Sequence, residues 1–300
     1  MRNVVLITGT SSGFGLDTAQ RLARRGHHVI ATMRDSRARN AEARASLERL
    51  AGDEKLALTV LELDVTDDAS VTAAVDTAVR EAGRIDVVIN NAGYAGLGVT
   101  EGYTVEQWQQ MFDVNVFGAV RVNRAVLPIM RRQRSGLLIH VSSAAGRVAI
   151  PAMAAYCSSK FALEALADTY RFELLPLGID SVLVEPGIYR TPIFDRTATP
   201  DDRSRVADYG ADAEFADRVT SVFQAAIAAP DNGGSAEVAE ALVRLVEMDS
   251  SERPFRTVVG EAVKPLLEPY NAASEGLRSI VAQIFAVPEL AGALANIATV

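Results

Sequence analysis

The chain has 300 residues, 49% of them hydrophobic and 23% charged, with a formal net charge of −8. That composition belongs to a globular protein with ample core, and an acidic balance without a basic block excludes a nucleic-acid binder. No run reaches the roughly 18 apolar residues of a membrane span, and "MRNVVLITG" lacks the apolar stretch of a signal peptide, so a cytoplasmic protein is expected.

The first strand pattern, Asn3–Ile7, runs into "TGTSSGFG", which opens a helical pattern over Phe14–Arg25. A second strand over His28–Thr32 leads to Met33 and Arg34, then to a helix over Ala41–Leu50. The third strand, Leu56–Leu63, ends at Asp64 and Val65. The next helix, Asp67–Glu81, has Thr66 or Asp67 as its N-cap. Strand Asp86–Asn90 continues into Asn91, Ala92 and Gly93, followed by one long helix over Val105–Met130. Strand Leu137–Val141 ends at Ser142 and Ser143, and helix Ala155–Leu175 begins with Tyr156 and Lys160. Strand Asp180–Glu185 ends at Pro186. Residues 192–234 are irregular and read as a substrate lid or as solvated loop. A helix over Glu237–Glu247 and a short strand over Arg256–Val259 follow.

Strands of this apolar kind alternating with helices predict an α/β fold, a Rossmann-type doubly wound parallel sheet of about seven strands with helices on both faces. Residues 1–260 form one domain. Residues 261–300, interrupted by Pro265, Pro269 and Pro288, read as short helices packed on that domain or on a partner. Ligands of such sheets sit outside the carboxyl ends of the strands, where the quoted turns fall.

Glycine permits positive φ and close approach of backbone to a pyrophosphate seated on a helix N-terminus. Gly9, Gly13 and Gly15 stand in that position at G-x-x-x-G-x-G spacing, which is not the G-x-G-x-x-G of the common dinucleotide fingerprint. This spacing resembles the short-chain dehydrogenase/reductase superfamily. "LDV", "NNAG", Asn115 in "DVNVFG", "VSSAAG", "YCSSK" and "PGIYRT" follow in the family's order, so the resemblance covers about residues 3–260. "TGTSSGFG", "VIATMRD" and "YCSSKFALE" resemble its hydroxysteroid and retinol dehydrogenase branch. That implies an oxidoreductase moving hydride between NAD(P)(H) and an alcohol or carbonyl of a hydrophobic substrate.

Tyr156 and Lys160, at i and i+4, share one helix face roughly 5–6 Å apart at Cβ. By themselves they read as packing and snorkelling. With the glycine turn present they read as an acid–base pair, the ammonium lowering a phenol pKa that is ordinarily about 10. Only Lys55, Lys160 and Lys264 among the 30 basic residues are lysine. A compact ammonium suits ribose hydroxyls where an Arg fork does not. The resemblance places the family's serine at Ser143, thirteen residues before Tyr156. It gives Asn115 the role of holding a water that connects Lys160 to solvent, and helix packing is the other reading of Asn115.

The resemblance further implies that Gly9, Ser11, Ser12, Gly13, Phe14 and Gly15 cradle the cofactor. Asp64 and Val65 meet the adenine, with a helix-capping role also open for Asp64. Asn91, Ala92 and Gly93 approach the adenine ribose, and Pro186, Ile188 and Thr191 cover the nicotinamide. Arg34 after the second strand favours NADP(H) over NAD(H) by gripping the 2′-phosphate. Asp35 opposes this, and a solvated Arg34 is the alternative. Tyr94, Leu97, Val148, Met153, Tyr189 and Phe194 are expected at the substrate pocket. Cys157 reads as a small buried side chain and His140 as a sheet residue; no metal is expected. The expected assembly is a homodimer or homotetramer, through the helix bearing Tyr156. A non-enzymatic NADP(H) sensor on the same fold is the competing function. A sugar-nucleotide epimerase shares Tyr-x-x-x-Lys but typically has a different glycine spacing.

Overall fold

The computed structural model describes residues 2–193, 196–229, 232 and 234–284. Among them, seven strands form one all-parallel sheet in the order β3-β2-β1-β4-β5-β6-β7. They are β1 Val4–Thr8, β2 His28–Met33, β3 Leu58–Glu62, β4 Val87–Asn90, β5 Gly136–Val141, β6 Ile179–Pro186 and β7 Arg256–Val259. Strand order reverses between β1 and β4, so a crevice opens at their carboxyl ends.

Both faces of the sheet are covered, which is why β1 and β6 are buried at every residue. Alternate residues of a strand face opposite layers. Val5 and Ile7 of β1 pack with Leu22, Leu47 and Leu242 from α1 (Gly13–Arg24), α2 (Ala41–Asp53) and α9 (Ser235–Glu247). Val4 and Leu6 pack with Val71, Val126 and Leu174 from α3 (Asp68–Ala82), α5 (Gly118–Gln133) and α6 (Ala154–Leu174). Each fully buried Leu or Val is worth roughly 1.5–3 kcal/mol. A slip of one residue would move every β1 side chain into the wrong layer.

Helix ends follow local chemistry. The Asp67 carboxylate accepts from the Ala69 N–H at 2.9 Å and caps α3, which stops at Gly83 with φ 75°.

Two expectations are corrected. The single helix over Val105–Met130 is instead α4 (Val105–Phe112), a π-helical turn over Asp113–Phe117, and α5. The wider turn carries Asn115 inward, where it is 2% exposed and fully hydrogen-bonded. Among the described residues, the C-terminal segment holds one helix, α10, over Lys264–Ile284, in place of the expected short helices. Pro265 lies in its first turn, where a missing N–H costs nothing, and Pro269 removes one bond. Pro288 lies outside the described residues.

Residues 192–234 contain α7 (Arg203–Asp208) and α8 (Glu214–Ala228). Ala198 forms a parallel bridge with Gly96, its N–H donating to the Ala95 carbonyl at 2.9 Å while its own carbonyl accepts from Leu97. Of α8, only Phe223 is buried. No described helix is long and apolar enough to cross a membrane.

Candidate active site

The glycine turn is shaped by close approach. Gly9 has φ 72°, and a Cβ there would lie 2.9 Å from the Ala92 Cα. A Cβ on Gly15 would lie 2.5 Å from both the Gly9 carbonyl oxygen and the Asn91 Nδ2. Gly13, at φ 57°, faces Thr191 across a gap of 3.5 Å from an added Cβ. Ser12 at the start of α1 makes no side-chain cap, so the first-turn N–H groups remain available to an anion. The open N–H groups and the glycine turn fit the pyrophosphate of a dinucleotide in kind.

Asn91 belongs to the frame of that cradle. Its Nδ2 donates to the Thr8 carbonyl at 2.8 Å and the Gly9 carbonyl at 3.0 Å. The Thr8 hydroxyl accepts from the Asn91 and Ala92 N–H groups, both at 3.0 Å. The Asp64 carboxylate accepts from the Thr66 N–H at 2.9 Å and the Thr66 hydroxyl at 2.7 Å, while Asp67 supplies the cap of α3. Val65 is buried against Gly118.

Ser143, Tyr156 and Lys160 converge at the ends of β5 and the start of α6. Ser143 is extended, its Oγ accepts from the Ala145 N–H at 3.1 Å, and its hydroxyl lies close enough to the Tyr156 phenol to pull that group's pKa down. The Ser142 hydroxyl is instead buried behind Gly146. Lys160 Nζ lies 5.7 Å from the Tyr156 ring centre and donates to the Val141 carbonyl at 2.9 Å. A Cβ on Gly93 would lie 3.7 Å from that Nζ, an ordinary contact, and a tight 3.1 Å from the Asn115 Oδ1. Asn115 ties the floor together. Its Oδ1 accepts from the Tyr94 N–H, and its Nδ2 donates to the Tyr94 carbonyl and to Ser159 Oγ, all at 3.0 Å.

Burial dominates the electrostatics. It pushes the Tyr156 phenol up to about 12, against a smaller downward pull from the Ser143 hydrogen bond. It pulls Lys160 down to about 8. In the protein's own field, burial sets the phenol, and Lys160 is not among the groups that shift it.

Tyr94, Leu97 and Met153 lie in one apolar cluster with Tyr156. Trp108, Ile193, Val219 and Phe223 join them, residues that pattern reading missed because their segments have no shared periodicity. Ile188 belongs to the same cluster. Val148 is 48% exposed and stands outside it. Tyr189 is a correction. It turns into the opposite core layer, edge-on to Phe14, with its hydroxyl donating to Glu237 at 2.7 Å. The buried Tyr189 ring, tied by its hydroxyl to Glu237 on α9, is held there and does not line the pocket. Phe194 lies outside the described residues. Cys157 and His140 are buried, as expected of packing residues.

Arg34 is exposed just past β2, and the turn after it adds exposed Arg37 and Arg39. Asp35 there has φ 51° and is exposed. Glu62, beside Met33 at the end of β3, accepts from the Ser36 N–H at 2.8 Å and from the Ser36 hydroxyl.

The family model for short chain dehydrogenase matches residues 3–202. The chain belongs to the short-chain dehydrogenase family. It is a NAD(P)-dependent oxidoreductase of that family, and its cradle and sheet are the family's dinucleotide-binding frame. It is 35% identical over 265 residues to the uncharacterized oxidoreductase YusZ of Bacillus subtilis, covering 88% of this chain and 91% of that protein. It is 36% identical over 275 residues to human 17-beta-hydroxysteroid dehydrogenase type 1, covering 89% of this chain and 80% of that protein. A Burkholderia phymatum short chain dehydrogenase/reductase in complex with NAD superposes with a TM-score of 0.74 at 25% identity, covering 89% of this chain and 92% of that one.

Proposed function

We propose that this short-chain dehydrogenase transfers hydride between NADP(H) and a secondary alcohol or carbonyl of a hydrophobic small molecule, with Ser143, Tyr156, Lys160 and Asn115 as its catalytic group. The observation that carries the reading is that Ser143, Tyr156 and Lys160 meet at the carboxyl end of β5, where Tyr156 joins an apolar wall of Tyr94, Leu97, Met153 and Phe223.

The bound cofactor supplies or accepts the hydride. The chain's own part is acid–base and positional. A phenol near 12 is protonated at neutral pH, so in the reductive direction the Tyr156 Oη gives its proton to the substrate oxygen as that oxygen gains charge. The Ser143 hydroxyl donates to the same oxygen. Lys160, with one donor on Val141 and two remaining, holds ribose hydroxyls and returns a proton toward Tyr156. The Asn115 side chain is committed to Tyr94 and Ser159, which leaves the water-holding role to its backbone in the π turn. In the oxidative direction, Tyr156 accepts the alcohol proton.

Arg34, aided by Arg37 and Arg39, grips the 2′-phosphate; this supports NADP(H), while the NAD complex of the Burkholderia protein keeps NAD(H) as the comparison to run. Similarity to a hydroxysteroid dehydrogenase supports a hydrophobic substrate. Phe161, 40% exposed on α6, supports pairing into a dimer through that helix. Consumption of NADPH over a panel of ketones and aldehydes, with NADH alongside, tests the reading. Turnover with a hydrophobic ketone supports it, and no turnover with any carbonyl and either cofactor favours a sensor instead.

A further inference from the structure

Helix α10 lies beyond the matched residues 3–202, yet it reaches both sides of the candidate site. Arg278 of this helix is buried against Asp168, and Asn271, earlier on the helix, also points inward. Its Nδ2 donates to Glu185 Oε2 at 2.6 Å, and its Oδ1 accepts from Arg147 Nε at 2.9 Å. The Arg147 guanidinium stacks 4.3 Å over the Tyr270 ring, also on α10. Glu185 is fully buried and takes a second bond, from Arg256, at 2.8 Å.

Each end of this bridge leads to the chemistry within a few bonds. Arg147 closes the tight turn that begins at Ser143: the Gly146 N–H donates to the Ser143 carbonyl at 2.8 Å, and the Arg147 N–H to the Ala144 carbonyl at 3.0 Å. A turn so short moves as one piece, so holding Arg147 holds Ser143. Glu185 directly precedes Pro186, Gly187 and Ile188, and Gly187 is fixed in turn to the Val259 carbonyl at 2.9 Å. Buried polar bridges seldom stabilise a fold more than apolar packing would, but they select one arrangement of the groups they join.

We propose that Asn271 is a positioning residue: by hydrogen-bonding both members of the long Arg147–Glu185 ion pair, 4.0 Å apart, it sets the Ser143 turn against the Pro186–Ile188 segment at the separation hydride transfer requires. This rests on the roles given above to Ser143 and to the Pro186–Ile188 segment. The C-terminal helix is thereby part of the working geometry and not only a cover for the α6 and β7 side of the domain.

The test compares wild type, Asn271→Ala, Arg147→Ala, the double variant and Tyr156→Phe. Turnover is measured with 9,10-phenanthrenequinone and whichever of NADPH or NADH the wild type consumes, and cofactor Kd by fluorescence. Amide hydrogen exchange is followed without cofactor over peptides 143–150 and 186–191. Asn271→Ala is expected to speed exchange in both peptides about fivefold or more with β1 to β3 unchanged. It should lower kcat roughly tenfold while cofactor Kd stays within about twofold. The double variant should be no worse than the poorer single variant, because both break one bridge. Faster exchange confined to α10, additive losses, or kcat falling only in step with Tm would overturn the proposal. Asn271→Ser replaces Asn271→Ala if the latter does not fold. If wild type shows no turnover, or Tyr156→Phe keeps it, the catalytic reading is what fails, and the exchange data alone then decide the bridge.

Discussion

Lys160 Nζ sits 5.7 Å from the Tyr156 ring centre and donates to the Val141 carbonyl, the last residue of β5. The lysine thus anchors α6 to the carboxyl end of β5, and the Tyr156 phenol lies beside the Ser143 turn that follows the same strand. The i, i+4 spacing becomes a fixed geometry through this anchor.

Replacing Tyr156 with Phe removes one oxygen from a site whose packing is otherwise kept. Turnover should fall about 10²–10⁴-fold, the usual worth of a positioned acid or base. Cofactor affinity should change little, since the ring and Lys160 remain. Steady-state rates with fluorescence titration of the cofactor check both halves.

Direction of reaction should set the pH dependence. With the phenol near 12, carbonyl reduction needs the form already present at pH 7, and Tyr156 contributes no slope between about pH 6 and 8. Alcohol oxidation needs the scarce phenolate and should rise with pH over the same range, by up to about tenfold per unit. Above pH 8, loss of the Lys160 charge should weaken cofactor retention. Rate profiles in both directions measure this, and an oxidation rate flat from pH 6 to 9 would contradict it.

Arg34→Ala should raise the Kd for NADPH while leaving NADH nearly unchanged. A charge-assisted bond is worth roughly 1.5–3 kcal/mol, which corresponds to about 10- to 100-fold in Kd. Equal effects on the two cofactors would return Arg34 to the solvated surface.

His140 is buried beside Asn90, and burial, with the nearby Lys160 charge, pulls its pKa down to about 3. The unfolded chain takes up that proton near pH 6.5 and the folded chain does not. Stability from this residue is therefore complete above pH 6.5 and falls as pH drops toward 3, by about 1.4 kcal/mol per unit. His140→Asn should lose that part of the acid sensitivity, seen as a shallower fall in urea midpoints between pH 7 and 5.

The alternation of strands and helices was legible because parallel strands covered on both faces must be apolar throughout, and β1, β2, β5 and β6 carry that signature openly. The glycine turn was equally legible, since Gly9 and Gly15 stand where no Cβ fits. Tyr189 shows where one-dimensional reading ends. Its place after β6 suggests the pocket, but Glu237 on α9, 48 residues away, supplies an acceptor for its hydroxyl on the other side of the sheet. The break between α4 and α5 is similar, because nothing in "MFDVNVFG" forces a π turn until Asn115 must meet Tyr94 and Ser159.

What the sequence by itself determined was the family frame: sheet, cradle and the order of Ser143, Tyr156 and Lys160. These depend on spacing and on residue type, both local properties. Only the tertiary structure decided which side chains share the apolar wall, that burial raises the Tyr156 phenol, and that Asn271 meets Arg147 and Glu185. Those facts arise between residues separated by tens to over a hundred positions, where burial and hydrogen-bond satisfaction are settled by folding and leave no periodic trace in the chain.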